Sequence, residues 1–209
     1  MSVESWVAYL IACVVLTVIP GPSVMLVIGQ SLTRGRAAAM MGVLGTVVGS
    51  IALLGLSFAG VGAVLAASAL LFQLVKWAGV FYLAWLGIEQ IRAARGEETA
   101  VVDLAPEQDT AATWSCFRAG ALTAVLNPKS IVFYMAFLAQ FIAPEGSLPL
   151  QLALLTLTSS LVVVVVLGCY ALVAARIRTL LGSRAARRRA GYAGGGFMIG
   201  GSAFMAVTR

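Results

Sequence analysis

Leu126-Asn127-Pro128-Lys129-Ser130 stands in the middle of an apolar run that extends from about Ala119 to Ile142. Proline has no N–H, so Pro128 leaves the carbonyl of Ala124 without its helical donor. In water that is an ordinary helix break. Inside a run long enough to cross a bilayer, freed backbone groups and a lysine are tolerated only against protein or a wet cavity. Asn before Pro also starts helices, with Asn as the N-cap and Pro at the first helical position. Read this way, the stretch is a half-helix whose positive N-terminal end opens at mid-membrane beside Lys129. A proline kink with a lysine snorkelling to a headgroup is the plainer reading, and the stretch alone does not separate the two.

The surrounding chain is that of an integral membrane protein. Of its 209 residues 61% are hydrophobic and 11% charged, against about 25% charged in soluble domains. With no histidine, metal ligation and proton relays built on imidazole are excluded, and neither a metal nor another cofactor is expected. Cys13 and Cys169 lie in apolar runs and Cys116 at the edge of one, which suits small packing residues. The net charge of +6 comes from basic residues at the ends of apolar runs. They are topology signals and not a nucleic-acid patch. Only Glu4 is charged before the first run, so that run reads as a span that stays and not as a cleaved signal peptide.

Six spans account for the apolar segments. The first is Trp6 to about Ile28, interrupted by Pro20-Gly21-Pro22; the second, about Ala37 to Phe58; the third, about Ala69 to Ile91. Between the second and third the chain must turn, and Gly60 and Gly62 mark the place between Ala59 and Ser68. The fourth holds the Asn-Pro-Lys break. The fifth is about Leu148 to Ala175, after the turn Pro144-Glu145-Gly146-Ser147, and the sixth about Ala190 to Val207. An acidic loop joins spans three and four (Arg92 to Trp114), and a basic one, Arg176 to Arg189, joins five and six. Five spans, with one apolar segment lying on the surface, is the rival count. Of the 14 Lys and Arg, 11 fall after spans one, three and five, and only Arg209 on the other side. Positive-inside then places both termini outside.

The chain divides into residues 1–91, a polar cytoplasmic connection 92–116, and residues 117–209. Val18-Ile19-Pro20-Gly21-Pro22-Ser23 echoes Val125-Leu126-Asn127-Pro128-Lys129-Ser130, each in the first span of its half. Three spans is an odd number, so the halves have opposite orientation. Inverted three-helix repeats with broken helices at the midplane are a transporter architecture. The expected fold is therefore an all-α membrane protein of six helices, the first and fourth broken.

Both breaks fall near the bilayer centre, and each half-helix N-terminus carries roughly half a positive charge. With Lys129 they suit a carboxylate, while the freed carbonyls of Leu16, Val18 and Ala124 suit an ammonium. Together these describe an α-amino acid bound by Pro20, Gly21, Pro22, Ser23, Asn127, Pro128 and Lys129. Lys76, Glu89 and Gln140 are candidates for coupling or gating, though Lys76 and Glu89 also read as interfacial residues. No carboxylate lies near the midplane, which argues against a dibasic substrate, and neutral amino acids are the expected cargo. Gly42, Gly45 and Gly49 in span two and the glycines of span six suit close helix packing, within one chain or in a homodimer.

These residues resemble the LysE/RhtB amino-acid exporters. The resemblance rests on Pro20-Gly21-Pro22, Ser31, Gly35-Arg36, Gly42, Gly45 and Gly49 in the first half. In the second it rests on Phe117, Gly120, Leu126-Asn127-Pro128-Lys129 and Gln140-Phe141. It covers nearly the whole chain and implies export of amino acids or close derivatives from the bacterial cytoplasm, driven by an ion gradient, without enzymatic chemistry. A membrane thiol–disulfide carrier using Cys13 and Cys116 is the alternative from another class. A metal-ion exporter comes third, short of ligands for hard and borderline cations.

Overall fold

The computed structural model describes residues 1–59, 69–96, 110–134, 138–180 and 184–207. The turn expected between Ala59 and Ser68, and most of the acidic loop, lie outside the described residues. Everything described is helix or short connection, without a strand.

Helix α1 (Val3–Val18) opens on Ser2, whose hydroxyl accepts the Ser5 N–H at 3.1 Å. It stops where Pro20 removes a donor. Helix α2 (Pro22–Arg34) restarts with Gly21 as N-cap and Pro22 at the first helical position. The two are bent by 52°. A single residue then turns the chain into α3 (Arg36–Phe58): Gly35, at φ +91°. Its N–H still reaches the carbonyls of Gln30 and Ser31, both at 3.1 Å. Only glycine adopts that backbone without strain.

Then follow α4 (Ala69–Gly96), α5 (Thr110–Val125) and the five-residue α6 (Pro128–Val132). A 3₁₀ turn at Leu138–Phe141 precedes α7 (Leu148–Leu180) and α8 (Arg184–Val207). Among the described residues, Arg36–Phe58 and Leu148–Arg178 are each long and apolar enough to cross a bilayer, and the bent α1–α2 pair makes a third.

One expectation needs correcting. The helices run further into the connections than hydropathy alone indicates, so Arg176 and Arg178 belong to α7, and Arg184 and Arg187 to Arg189 belong to α8. Arg and Ala are good helix formers, and a hydropathy pattern does not register them as such. The half-helix after Pro128 runs as α-helix over Pro128–Val132 and widens into a π turn at Phe133 and Tyr134.

The glycines of α3 form a seam against α5. A side chain at Gly45 would collide with the Phe117 carbonyl, one at Gly49 with the Ala121 carbonyl, and one at Gly120 with the Gly42 carbonyl. Of the two readings of this stripe, it is packing within the chain that the structure uses. Gly195 of α8 similarly sits against the Gly87 carbonyl and Ile91 of α4. Helix α1 lies along α7, where Trp6 Nε1 donates to Thr158 Oγ1 at 3.0 Å and the Tyr9 hydroxyl to the Leu155 carbonyl at 3.2 Å. Helix α2 is central and packs on α3, α7 and α8. One apolar cluster joins Tyr9, Leu53, Phe133, Leu138 and Leu155; a second joins Val27, Val43, Val163 and Leu167.

The molecule has two distinct ends. At one, Gly146 abuts Gln151 and the Met1 amine, and Gln151 clamps the turn by accepting from Ala143 N–H and donating to the Ala143 carbonyl, at 2.8 and 3.0 Å. At the other, Gly35 and the Arg178 guanidinium meet.

Candidate functional site

The two breaks meet. Lys129, at the second position of α6, reaches across to the end of α1 and donates from Nζ to the carbonyl of Leu16 and, at 2.9 Å, to that of Ile19. Asn127 holds the start of α6: its side-chain oxygen accepts the Lys129 N–H at 3.1 Å, and it is buried. The Asn-Pro pair therefore caps a helix as its sequence indicates. Gly21 lets the lysine pass, since a Cβ there would lie 3.3 Å from Nζ.

The carbonyls expected to stand open are occupied. Leu16 is covered by Lys129, Val18 accepts the Tyr170 hydroxyl at 2.9 Å, and Ala124 accepts the Asn127 N–H at 3.3 Å. The reason is general. The last carbonyls of a helix have no intrahelical donor, and buried ones must find another. A lysine brings three N–H donors and a charge of the sign that a helix C-terminus favours. At the start of α2 the opposite holds. The N–H groups of Ser23 and Val24 have no acceptor among the described residues, and no side chain caps the helix.

Between the breaks lies a pocket with about 60 Å³ of free volume. That is room for water but tight for a whole amino acid. Gly21, Ser23, Asn127 and Lys129 line it. Pro20 and Pro22 shape the break without facing the space, and the Pro128 ring is not among the described side chains. Gln140 is exposed on the 3₁₀ turn, away from the pocket. Lys76 and Glu89 lie on α4, their side chains outside the described residues.

Several lining residues escaped the sequence reading: Thr17, Thr46, Ser50, Ser130, Tyr134 and Ser159. Thr46 and Ser50 are one helical turn apart within an apolar span, and that spacing is the signal that could have found them. The Thr17, Thr46 and Ser159 hydroxyls donate back to their own helices, to Cys13, Gly42 and Thr156. Their oxygens keep lone pairs for another donor. Among the described residues no carboxylate lines the pocket. The wall thus offers one ammonium, two unpaired N–H groups and neutral hydroxyls, which suits an anionic group attached to an uncharged body.

All three cysteines are free thiols. Cys116, at the edge of its apolar run, is fully buried, its carbonyl accepting from Gln30 Nε2 and its sulfur 3.4 Å from Arg34 Nη1. Cys13 packs in the Tyr9 cluster, whereas Cys169 is exposed on α7.

The LysE type translocator family matches residues 14–209. The chain is 35% identical over 180 residues to the homoserine/homoserine lactone efflux protein of Salmonella typhimurium, covering 85% of this chain and 84% of that one. It is 32% identical over 177 residues to an uncharacterized membrane protein of Vibrio cholerae, with 85% and 84% covered. To the leucine efflux protein of Klebsiella pneumoniae it is 28% identical over 148 residues, with 71% and 68% covered. No solved structure matches.

Proposed function

The chain belongs to the LysE type translocator family, and from that premise we propose that it is a secondary active exporter of amino acids, neutral ones above all. The observation that carries this is the junction of the two breaks, where a lysine, the open start of α2 and a hydroxyl-lined pocket come together without a carboxylate among the described residues. The amino acid's carboxylate would take Lys129 and the Ser23 and Val24 N–H groups. Its side chain would lie among Thr46, Ser50 and Ser159. Names of relatives support the class of cargo, one acting on homoserine and its lactone and another on leucine.

The same proposal includes six spans in two inverted halves: α1–α2, α3 and α4, then α5–α6, α7 and α8. Packing supports it, because exchanging the halves returns several of the main pairs, although the first span also packs on the second with no comparable fourth-on-fifth pair among the described residues. The first span lies on the fifth as the fourth lies on the second, and the third lies on the sixth. The end holding Arg34, Arg36, Arg176 and Arg178 would face the cytoplasm of a bacterial inner membrane, with Met1 and the Gly146 turn outside. Transport would be driven by an ion gradient. A homodimer would have to use a face other than the α3 glycines, such as that of Gly196 and Gly200, where an added Cβ would meet no described residue of another element within 4 Å.

The test is efflux from membrane vesicles loaded with an amino-acid panel that includes homoserine and leucine, with and without a proton gradient. Export of at least one neutral amino acid above that of vesicles lacking the protein is expected. If none leaves faster, the exporter reading falls.

A further inference from the structure

We propose that Lys129 is a tethered stand-in for the substrate's own ammonium group. With the site empty, its Nζ occupies the carbonyl seat at the end of α1; a substrate ammonium takes that seat over and frees Lys129 to pair with the carboxylate. The inference rests on the exporter reading for what enters, and on the geometry for what is displaced.

The seat is defined by Leu16 and Ile19, whose carbonyls both accept from Nζ, the latter at 2.9 Å. These are the groups a proline break leaves without backbone donors. They cannot be left bare, since an unmade bond inside the bilayer costs several kcal/mol. A protein donor, a ligand or water must therefore cover them in every state, and here the chain supplies an ammonium. The neighbouring Val18 carbonyl is covered separately by the Tyr170 hydroxyl, 2.9 Å away, so the seat is one ammonium wide. Gly21 beside Nζ leaves room for the lysine to withdraw.

The charge balance follows. The empty site carries the one positive charge of Lys129. Loaded with a zwitterion it carries Lys129, a carboxylate and an ammonium, and its net charge is again +1. Empty and loaded carriers then face the same electrostatic barrier in moving between the two sides. An amine without a carboxylate would put two cations in one seat. An acid without an amine would draw Lys129 away and leave the carbonyls bare. The site thus selects for molecules that carry both groups, whatever their side chain.

The experiment reads the seat directly, without transport. Lys129→Ala is purified in detergent and melted with and without ethylammonium chloride, on the order of 0.1 M, with tetramethylammonium chloride as a control of equal ionic strength lacking N–H donors. Lys129→Ala should melt lower than the parent and recover about 2–4 °C with ethylammonium alone, while the parent, its seat filled, stays put. Should the variant aggregate, purification in ethylammonium should yield monodisperse protein where tetramethylammonium does not. Three results overturn the proposal: no ethylammonium-specific shift in Lys129→Ala, an equal shift in the parent, or aggregation in both salts. Because no cargo is used, a seat that fails here is distinguishable from an exporter that fails in vesicles.

Discussion

At residue scale, Lys129 is tied to carbonyls more than a hundred positions away in sequence, and that distance explains what could and could not be read beforehand. The cap made by Asn127 and Pro128 is local, a matter of adjacent residue types, and it stands as read. Which donor covers Leu16, Val18 and Ile19 depends on how three helices meet, and no local pattern holds that information. Lys129→Met should still insert, melt below the parent and lose efflux, while Lys129→Arg should keep part of it, since guanidinium preserves charge and donors but not the compact point shape of ammonium. Normal export by Lys129→Met would reduce the lysine to an anchor. Gly21→Ala is the subtler probe. Its methyl would lie 3.3 Å from Nζ, so efflux should fall with little change in melting temperature, and unaltered efflux would mean that Lys129 never needs to move past that point.

At the scale of elements, proline punctuation marks both breaks, and these were visible from residue type alone. The one-residue turn at Gly35 was not, because the polar run from Gln30 to Arg36 reads as a loop until its helical bonds are seen. The ends of α7 and α8 were not, because arginine-rich helix and arginine-rich loop have the same hydropathy. Restoring continuity in the first span with Pro20→Ala and Pro22→Ala together removes a helix-interior proline cost of about 3 kcal/mol each. Against this stand the bonds that Lys129 and Tyr170 make to the broken end, each worth about 1.5 kcal/mol or less to about 3 when charged. The variant should melt within a few degrees of the parent and lose efflux, because the open start of α2 and the seat beside α1 vanish together. A folded variant that exports at the parental rate would make the break merely structural. In the α3–α5 seam, Gly45→Ala sets a methyl against the Phe117 backbone, which has no rotamer with which to yield. A loss of about 1–3 kcal/mol is expected, read as a lowered melting temperature, and an unchanged one would show that the seam is loose.

At the scale of the molecule, the class of fold was plain from composition, and the count of apolar runs gives the six spans proposed here. Their mutual packing was not, since pairing between helices depends on which small residues face which backbone. With all native cysteines replaced, exposed Cys169 included, a cysteine at Ser147 should react with a membrane-impermeant maleimide from outside in intact cells. One at Glu98, outside the described residues, should react only after the cells are opened. Labelling of both from outside would overturn the orientation. The glycine seam has a further consequence. Where carbonyls lie directly on α-carbons, no side chains are present to re-sort, and one helix cannot slide along the other without its oxygens climbing over the partner's backbone. Helices α3 and α5 should therefore behave as one stiff plank whose amides are the slowest in the protein to exchange with deuterium, leaving α1 and its partner α7 as the half that swings.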